Sequence, residues 1–511
     1  MSLTARLERV LDTRGWTAAI TRIRERAVPT HWTGLFGVVT IASVAVLFVT
    51  GVVLMFFYTP SSERVIYHGA YATLHGMEVS KAFASTLTVS LDVPGGLLIR
   101  QAHHWAALLL PASIIAQLVA AFFTGAFRGP RRWTWVLLFL TLIAALAAGW
   151  SGYALPDDML SGTGLRIVEG IMLGIPVVGS WAATLLFGGG FPGRIIENLY
   201  PVHLVVAVAL VVVIVARIRS EWKNEPLRMP GVAQGVRVTT PKRIVGLFVA
   251  VGVILTGMAA LVQVSPIWMY GPSDPGNASA GSQPDWYTGF LDGALRLVPP
   301  GWEVSVGGYT LTLAVLVPLA VIGAFLLTVA AYPFLESWGN PAPSEFLDRP
   351  RSVSTRTGIG VAGMTFYGVL WGAASADLLA HLLRLSLESV VVGFQVLLFV
   401  GPVVAFSVTR RICLGLQRRD REIVLHGRET GRIVRMPGGE YIEVHQRVGA
   451  AEVAALNAAG YAPLVLRPDA RGRITLAARV RVAVSRVLFG TRIAPVTGSI
   501  GTLGEEHRDA A

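Results

Sequence analysis

GGLLIRQAHHW, at residues 95–105, opens an apolar run that continues to Phe123. Only ten histidines occur in 511 residues, so the adjacent His103 and His104 at the start of a membrane span require an explanation. A second apolar run, 199–218, carries His203 near its own start. Two helices that each present one imidazole at the same depth could hold a haem by axial nitrogen ligation. Helix-end histidines that reach interfacial water are the alternative, and the spacing alone does not decide between the two.

The composition is that of a polytopic membrane protein, with 53% hydrophobic residues, 14% charged residues and a mean hydropathy of +0.59. The net charge of +12 is concentrated in loops and tails, which indicates positive-inside topology and no nucleic-acid partner. The single cysteine, Cys413, excludes a disulfide framework, a Cys-only iron–sulfur site and a covalent CxxCH haem within this chain.

Eight apolar runs have the length of a membrane span: 34–57, 95–123, 133–152, 195–218, 243–264, 307–333, 358–383 and 387–410. Basic residues concentrate at 1–30, 124–132, 217–243 and after 410, whereas the other connections are less basic or acidic. The alternation predicts an all-α protein of the cell membrane with about eight spans and both termini cytoplasmic. His103 and His203 then lie at matching depth near the outer face.

Four segments follow from this pattern. We predict a basic cytoplasmic surface helix at 1–30, four membrane helices at 31–218, four further membrane helices at 219–410, and a small cytoplasmic extension at 411–511. Short helices against the membrane surface are expected within 153–193. The extension is expected to be partly ordered at best, with possible short strands at 431–435 and 440–444.

The connection 265–305 contains Pro284-Asp285-Trp286-Tyr287. Proline fixes the backbone, the two aromatic residues suit the membrane interface, and the carboxylate is placed where it could accept a proton. On the residues alone, interfacial anchoring is the better interpretation of this motif.

The chain resembles the cytochrome b subunit of the actinobacterial cytochrome bc complex, a quinol–cytochrome c reductase, over nearly its whole length. The resemblance is carried by residues 92–105, by the Pro284–Tyr287 motif, and by five further stretches. Those stretches are 122–128, 152–158, 161–166, 411–418 and 440–446.

The resemblance implies four helices around two b haems, each held by one histidine from the second span and one from the fourth. His103 and His203 match the outer pair, next to the quinol-oxidation pocket, and Arg100 could pair with a haem propionate. Pro284–Tyr287 looks like the quinol-oxidation motif. The implied partners are quinol (menaquinol), a Rieske iron–sulfur subunit, a cytochrome c subunit, membrane lipid and a second copy of the complex.

The inner haem of the family needs a second histidine fourteen residues after the first, about 21 Å deeper on nearly the same helix face. That position is Gln117 on the second span, and Arg217 or Ile218 on the fourth. None of these supplies an imidazole, and arginine is always protonated. The sequence therefore predicts a divergent member that holds one haem b where the family holds two.

Two functions remain open. In the first, the chain oxidises quinol at the outer face and passes electrons to a Rieske partner and one b haem. In the second, it is a non-catalytic or repurposed paralogue that serves as a membrane scaffold or quinol-binding subunit. Neighbouring genes for a Rieske protein and a cytochrome c would favour the first.

Overall fold

The computed structural model describes residues 34–224, 241–274, 276, 285–340, 346–457, 461–468, 474–494 and 496. The predicted basic helix at 1–30 and Pro284 lie outside the described residues. The helices and strands are, in chain order, α1 (Leu35–Met55), β1 (Arg64–Ile66), β2 (Glu78–Ser80), α2 (Lys81–Leu91), α3 (Gly96–Thr124), α4 (Arg132–Ala154), α5 (Met159–Leu173), α6 (Gly179–Phe187), α7 (Ile195–Lys223), α8 (Pro241–Leu261), α9 (Ile267–Tyr270), α10 (Gly289–Arg296), β3 (Glu303–Val306), β4 (Tyr309–Thr312), α11 (Leu313–Gly339), α12 (Ser354–Ala373), α13 (Ala376–Leu383), α14 (Leu387–His426), β5 (Arg428–Arg435), β6 (Tyr441–Gln446), α15 (Ala450–Asn457) and α16 (Leu476–Phe489).

The predicted all-α membrane architecture is confirmed. Within the described ranges, seven helices are long and apolar enough to span a membrane, namely α1, α3, α4, α7, α8, α11 and α14. The strands form three separate antiparallel pairs, β1–β2, β3–β4 and β5–β6. A bilayer favours this arrangement because a helix satisfies its own backbone hydrogen bonds without water.

The eighth predicted span, 358–383, is not one straight helix. It forms α12 and α13, which are bent by 71° at a short break. Asp377 in the first turn of α13 makes an ion pair with Arg296 at 3.2 Å. The apolar composition of 358–383 does not reveal this break.

The haem-binding bundle that we predicted corresponds to α1, α3, α4 and α7. Helix α1 packs along α3, α4 packs along α7, and α3 also contacts α4. Apolar side chains from three of these helices, including Ile114, Leu142 and Leu210, form the largest buried cluster. Here "outer" denotes the side that the charge pattern predicts, where His103 and His203 lie, and "inner" the opposite side.

The remaining membrane helices form a second group. Helix α12 packs against α10 and α14, and α11 contacts α10 and α16. Helix α14 extends for 40 residues, so the predicted boundary at residue 410 lies inside it. The possible strands at 431–435 and 440–444 are confirmed as parts of β5 and β6, whereas α15 and α16 were not predicted.

A buried ion-pair network joins the two groups of helices at the inner side. Arg356 of α12 is 1% exposed, donates to Glu336 of α11 at 2.8 Å, and also pairs with Asp348. Asp348 in turn pairs with Arg128, which follows α3, at 3.1 Å. The Tyr461 hydroxyl donates to Asp348 at 3.1 Å, which brings part of the 411–511 extension into the same network.

Helix α3 ends in this network because of Gly125. Its φ of +64° lies in the left-handed region, which glycine adopts without strain. A Cβ atom at this position would lie 2.8 Å from Arg128 Nε, Arg356 Nη1 and Asp348 Oδ2. Glycine therefore both terminates the helix and lets the charged groups approach its backbone.

We predict that Arg356→Met lowers the free energy of unfolding by about 3 to 5 kcal/mol, because Glu336 and Asp348 would keep their buried charge without its main partner. To measure the change, the purified protein is heated and the fraction that remains soluble is determined at each temperature. Arg411→Met is the control, since its side chain is exposed. Equal unfolding temperatures for the two variants would contradict the prediction.

Candidate functional site

The bundle fixes the ring of each outer histidine through a hydroxyl group on the neighbouring helix. His103 Nδ1 of α3 lies 2.9 Å from Thr50 Oγ1 of α1. His203 Nδ1 of α7 lies 3.0 Å from Ser151 Oγ of α4 and 3.1 Å from the Ala148 carbonyl. Both rings lie within the bundle formed by α1, α3, α4 and α7. The predicted pair is thus brought together on adjacent sides of one bundle.

These hydrogen bonds determine which ring nitrogen carries the proton. The Thr50 hydroxyl donates to the Val46 carbonyl at 2.6 Å, so its oxygen accepts from His103 Nδ1. A carbonyl can only accept, so the contact to Ala148 makes His203 Nδ1 a donor as well. In a neutral imidazole with a proton on Nδ1, Nε2 retains its lone pair. This is the arrangement of a metal-ligating histidine whose other nitrogen is held by a hydrogen bond.

Two glycines make room for the rings. A Cβ atom at Gly51 of α1 would lie 3.2 Å from His103 Cε1, and one at Gly152 of α4 would lie 2.8 Å from His203 Cε1. Any larger residue at Gly152 would displace the imidazole. Each ring therefore lies directly against the backbone of the neighbouring helix.

The Asp285–Tyr287 part of the predicted quinol motif packs against α3, near the same end. Asp285 Oδ1 lies 3.3 Å from His104 Nε2, and Asp285 Oδ2 accepts from the Tyr287 hydroxyl at 2.9 Å. The Trp286 indole donates to the Leu108 carbonyl at 3.2 Å. Burial, reinforced by the Asp285 carboxylate, raises the pKa of Tyr287 well above its usual value, so this phenol stays protonated and donates.

Arg100 lies one turn before His103, and its guanidinium contacts the connection that follows α8. Both Nη atoms donate to the Ser265 carbonyl, at 3.3 and 3.2 Å. Its Nε is buried and has no hydrogen-bond partner among the described residues. The propionate role of Arg100 stays a prediction, and the buried Nε is a donor that such a group could use.

At the inner level of the bundle, the side chains at two of the predicted inner-ligand positions bind each other. Arg217 Nη2 donates to Gln117 Oε1 at 2.5 Å, and Gln117 Nε2 donates to Thr40 Oγ1 at 2.5 Å. Thr40 also contacts Ser113 at 2.7 Å, and Arg217 pairs with Glu221 at 3.0 Å. This network connects α1, α3 and α7 directly. Ile218 takes no part in it and packs against the apolar cluster of the bundle.

Comparison with known proteins identifies the family. Residues 108–272 match the family model described as cytochrome b (N-terminal)/b6/petB. The cytochrome bc1 complex cytochrome b subunit of Streptomyces coelicolor is 41% identical over 486 residues, which cover 90% of this chain and 88% of that protein. The subunit of the same name from Mycobacterium tuberculosis is 41% identical over 459 residues, covering 87% and 83%.

The chain belongs to the cytochrome b subunits of the cytochrome bc1 complex.

A solved structure supports the fold independently. One chain of a structure titled "Hyperthermophilic respiratory Complex III" aligns with a TM-score of 0.55 at 16% identity, covering 78% of this chain and 99% of that chain. At this identity the likeness concerns the fold alone. The relatives and the seven apolar helices together make the chain a multi-pass membrane protein of the cytochrome bc1 type.

The outer site of this cytochrome b fits a haem. Two imidazoles with free Nε2 lone pairs, each packed against a glycine, form the donor set of a bis-histidine haem. Within the described residues, no cluster of three or more His, Cys, Asp or Glu side chains is placed to hold a metal ion. At the inner level, Gln117 and Arg217 offer no imidazole to a haem and are hydrogen-bonded to each other.

Several functional residues were not predicted from the sequence. Thr50 and Ser151 fix the two rings, Gly51 and Gly152 accommodate them, and His104 contacts Asp285. The sequence did contain one signal for a glycine at position 51. Gly37 and Gly51 of α1 are fourteen residues apart, which is the spacing of His103 and Gln117 on α3. In the structure, a Cβ atom at Gly37 would lie 3.6 Å from Gln117 Oε1.

Proposed function

We propose that this cytochrome b oxidises quinol at the outer face and passes one electron to a haem held by His103 and His203. The observation that carries the proposal is that α3 presents two consecutive histidines to two different partners. His103 joins the site shared with His203, and His104 contacts the Asp285 carboxylate. An electron acceptor and a proton acceptor would thereby be held side by side.

His103 and His203 would bind the haem through Nε2, with Nδ1 of each ring held by Thr50 and Ser151. Arg100 would offer its guanidinium to a propionate, where its buried Nε has no other partner among the described residues. The bound haem supplies a one-electron acceptor near the outer face. The glycine backbones at 51 and 152 keep both rings close to their helices.

Asp285 would accept the first proton of the quinol. Oxidation of one quinol to quinone releases two electrons and two protons. One electron would go to the iron–sulfur cluster of a Rieske partner and the other to the haem, while one proton would go to the Asp285 carboxylate and the second to water at the outer face. Before the next turnover the haem would give its electron to a quinone near the same face. Each oxygen of a carboxylate has two lone pairs, so Asp285 can accept from a quinol hydroxyl while Tyr287 and His104 hold it.

The partners follow from what the chain lacks. Its one cysteine, Cys413, cannot bind an iron–sulfur cluster or a covalent haem, so a Rieske subunit and a cytochrome c subunit would carry those groups. We further propose menaquinol as the quinol, a dimer of the complex in the cell membrane, and both termini on the cytoplasmic side. The basic connections support this orientation.

We infer one haem in this chain, in place of the two that the family resemblance implies. The contact between Gln117 and Arg217 occupies the inner level, and neither side chain offers an imidazole. The same contact favours a second candidate function, that of a repurposed paralogue which serves as a scaffold or quinol-binding subunit. In that case the outer site would be retained without turnover.

Haem stoichiometry tests the proposal most directly. We expect a pyridine haemochrome assay of the purified chain to give one haem b per chain, and a redox titration to give a single potential. Two haems per chain would contradict the proposal that the inner level binds no haem. A chain without haem, although folded and inserted, would leave only the scaffold.

A further inference from the structure

His104 is a partly buried side chain that the proposed haem site does not use. It follows His103 on α3, and consecutive residues of an α-helix point about 100° apart. Its Nε2 therefore faces Asp285 Oδ1, at 3.3 Å, while the side chains of His104 and Asp285 are only 14% and 13% exposed. The two residues are 181 positions apart in sequence, so only the tertiary fold brings them together.

The contact belongs to a larger attachment of the quinol motif to α3. Trp286 donates to the Leu108 carbonyl, which lies four residues after His104 and hence on the same face of the helix. Trp371 of α12 donates to the Trp286 carbonyl at 2.9 Å and holds the motif from the other side. The backbone of the motif is thus fixed at Trp286, whereas the carboxylate of Asp285 depends on its side-chain partners.

Those partners are two donors, one for each oxygen of Asp285. The Tyr287 hydroxyl donates to Oδ2 at 2.9 Å, and the His104 ring faces Oδ1. The Tyr287 ring is buried against α4, since a Cβ atom at Gly149 would lie 2.5 Å from its hydroxyl oxygen. With one donor on each side, rotation of the carboxylate about its side-chain bonds would break at least one hydrogen bond.

We infer that His104 is a positioning residue that holds the Asp285 carboxylate in the orientation in which it meets the quinol hydroxyl. The inference rests on the proposed function. The role requires only a ring N–H at Nε2, which a neutral imidazole supplies. Helix α3 then positions the haem with His103 and the proton acceptor with His104, so that both are fixed relative to one rigid element.

The test compares two substitutions in the full complex. His104→Phe keeps a planar ring but removes the donor, whereas His104→Gln keeps an N–H group near the position of Nε2. With a soluble naphthoquinol as substrate, we expect His104→Phe to lower kcat by about 10²-fold with little change in KM, as expected when a reacting group is displaced. His104→Gln should recover most of the loss. Haem per chain should be unchanged in both variants.

A double variant shows whether His104 acts through Asp285. If it does, His104→Phe adds little to the loss already caused by Asp285→Asn, because the two residues form one unit. His381→Phe, an exposed histidine on α13, is the matched control and should retain normal turnover.

Three results would overturn the inference. They are normal turnover in His104→Phe, equal losses in the Phe and Gln variants, and independent losses in the double variant. A wild-type complex that binds haem but does not oxidise the quinol would instead overturn the proposed function itself.

Discussion

His103→Ala is expected to remove all b-type absorbance from the chain, while Gln117→Ala leaves it unchanged. Loss of the His103 imidazole would leave His203 as the single nitrogen ligand at this level, which would not retain the haem. Gln117 binds Arg217 and Thr40 instead, so its removal breaks a polar contact and touches no haem. The reduced-minus-oxidised spectrum and the pyridine haemochrome per chain measure the difference.

The two variants control for each other, since both replace a polar side chain of α3 with alanine. His203→Ala should repeat the result of His103→Ala, because the two rings serve one haem. A haem signal that is lost, wholly or by half, in Gln117→Ala would mean that the inner level takes part in haem binding. Absorbance retained in His103→Ala would remove His103 from the ligand set.

Asp285→Asn is expected to slow quinol oxidation by about 10²- to 10⁴-fold without loss of haem, the range usually attributed to a positioned general base. Asparagine has nearly the shape of aspartate and keeps one oxygen as an acceptor for the Tyr287 hydroxyl. What it loses is the negative charge that takes the proton. Steady-state turnover with a naphthoquinol, measured across pH beside the haem content, tests the effect.

Asp274→Asn is the matched control for Asp285→Asn. Asp274 lies on the same connection, is exposed, and accepts a hydrogen bond from the Gly276 amide alone among the contacts found for it. Its substitution should leave turnover unchanged. Turnover of Asp285→Asn that equals wild type at every pH would remove Asp285 from the proton path.

The membrane helices could be predicted because the bilayer restricts the chain to long apolar helices. The bend between α12 and α13 could not, since hydropathy alone does not reveal a break within an apolar run. The same holds for the buried network around Arg356. Its partners come from four separate parts of the chain, and no local pattern indicates that they meet.

At the candidate site, helical periodicity predicts which residues share one face of a single helix. Fourteen residues return a side chain to nearly the same face, so Gln117 could be placed below His103 from the sequence. That Gln117 and Arg217 would bind each other depends on the distance between α3 and α7, which the sequence does not contain. The donors to the two rings, Thr50 and Ser151, were missed for the same reason.

The contact between Gln117 and Arg217 also bears on how this protein responds to membrane voltage. Moving one charge across the whole membrane potential costs about 2.3 kcal/mol per 100 mV. A chain with haems at both levels moves electrons through most of that field, and its turnover slows as the voltage rises. In a chain that holds one haem, as proposed, the electron would stay near the face where it was released. Quinol oxidation by this chain would then proceed at nearly the same rate in energised and de-energised membranes.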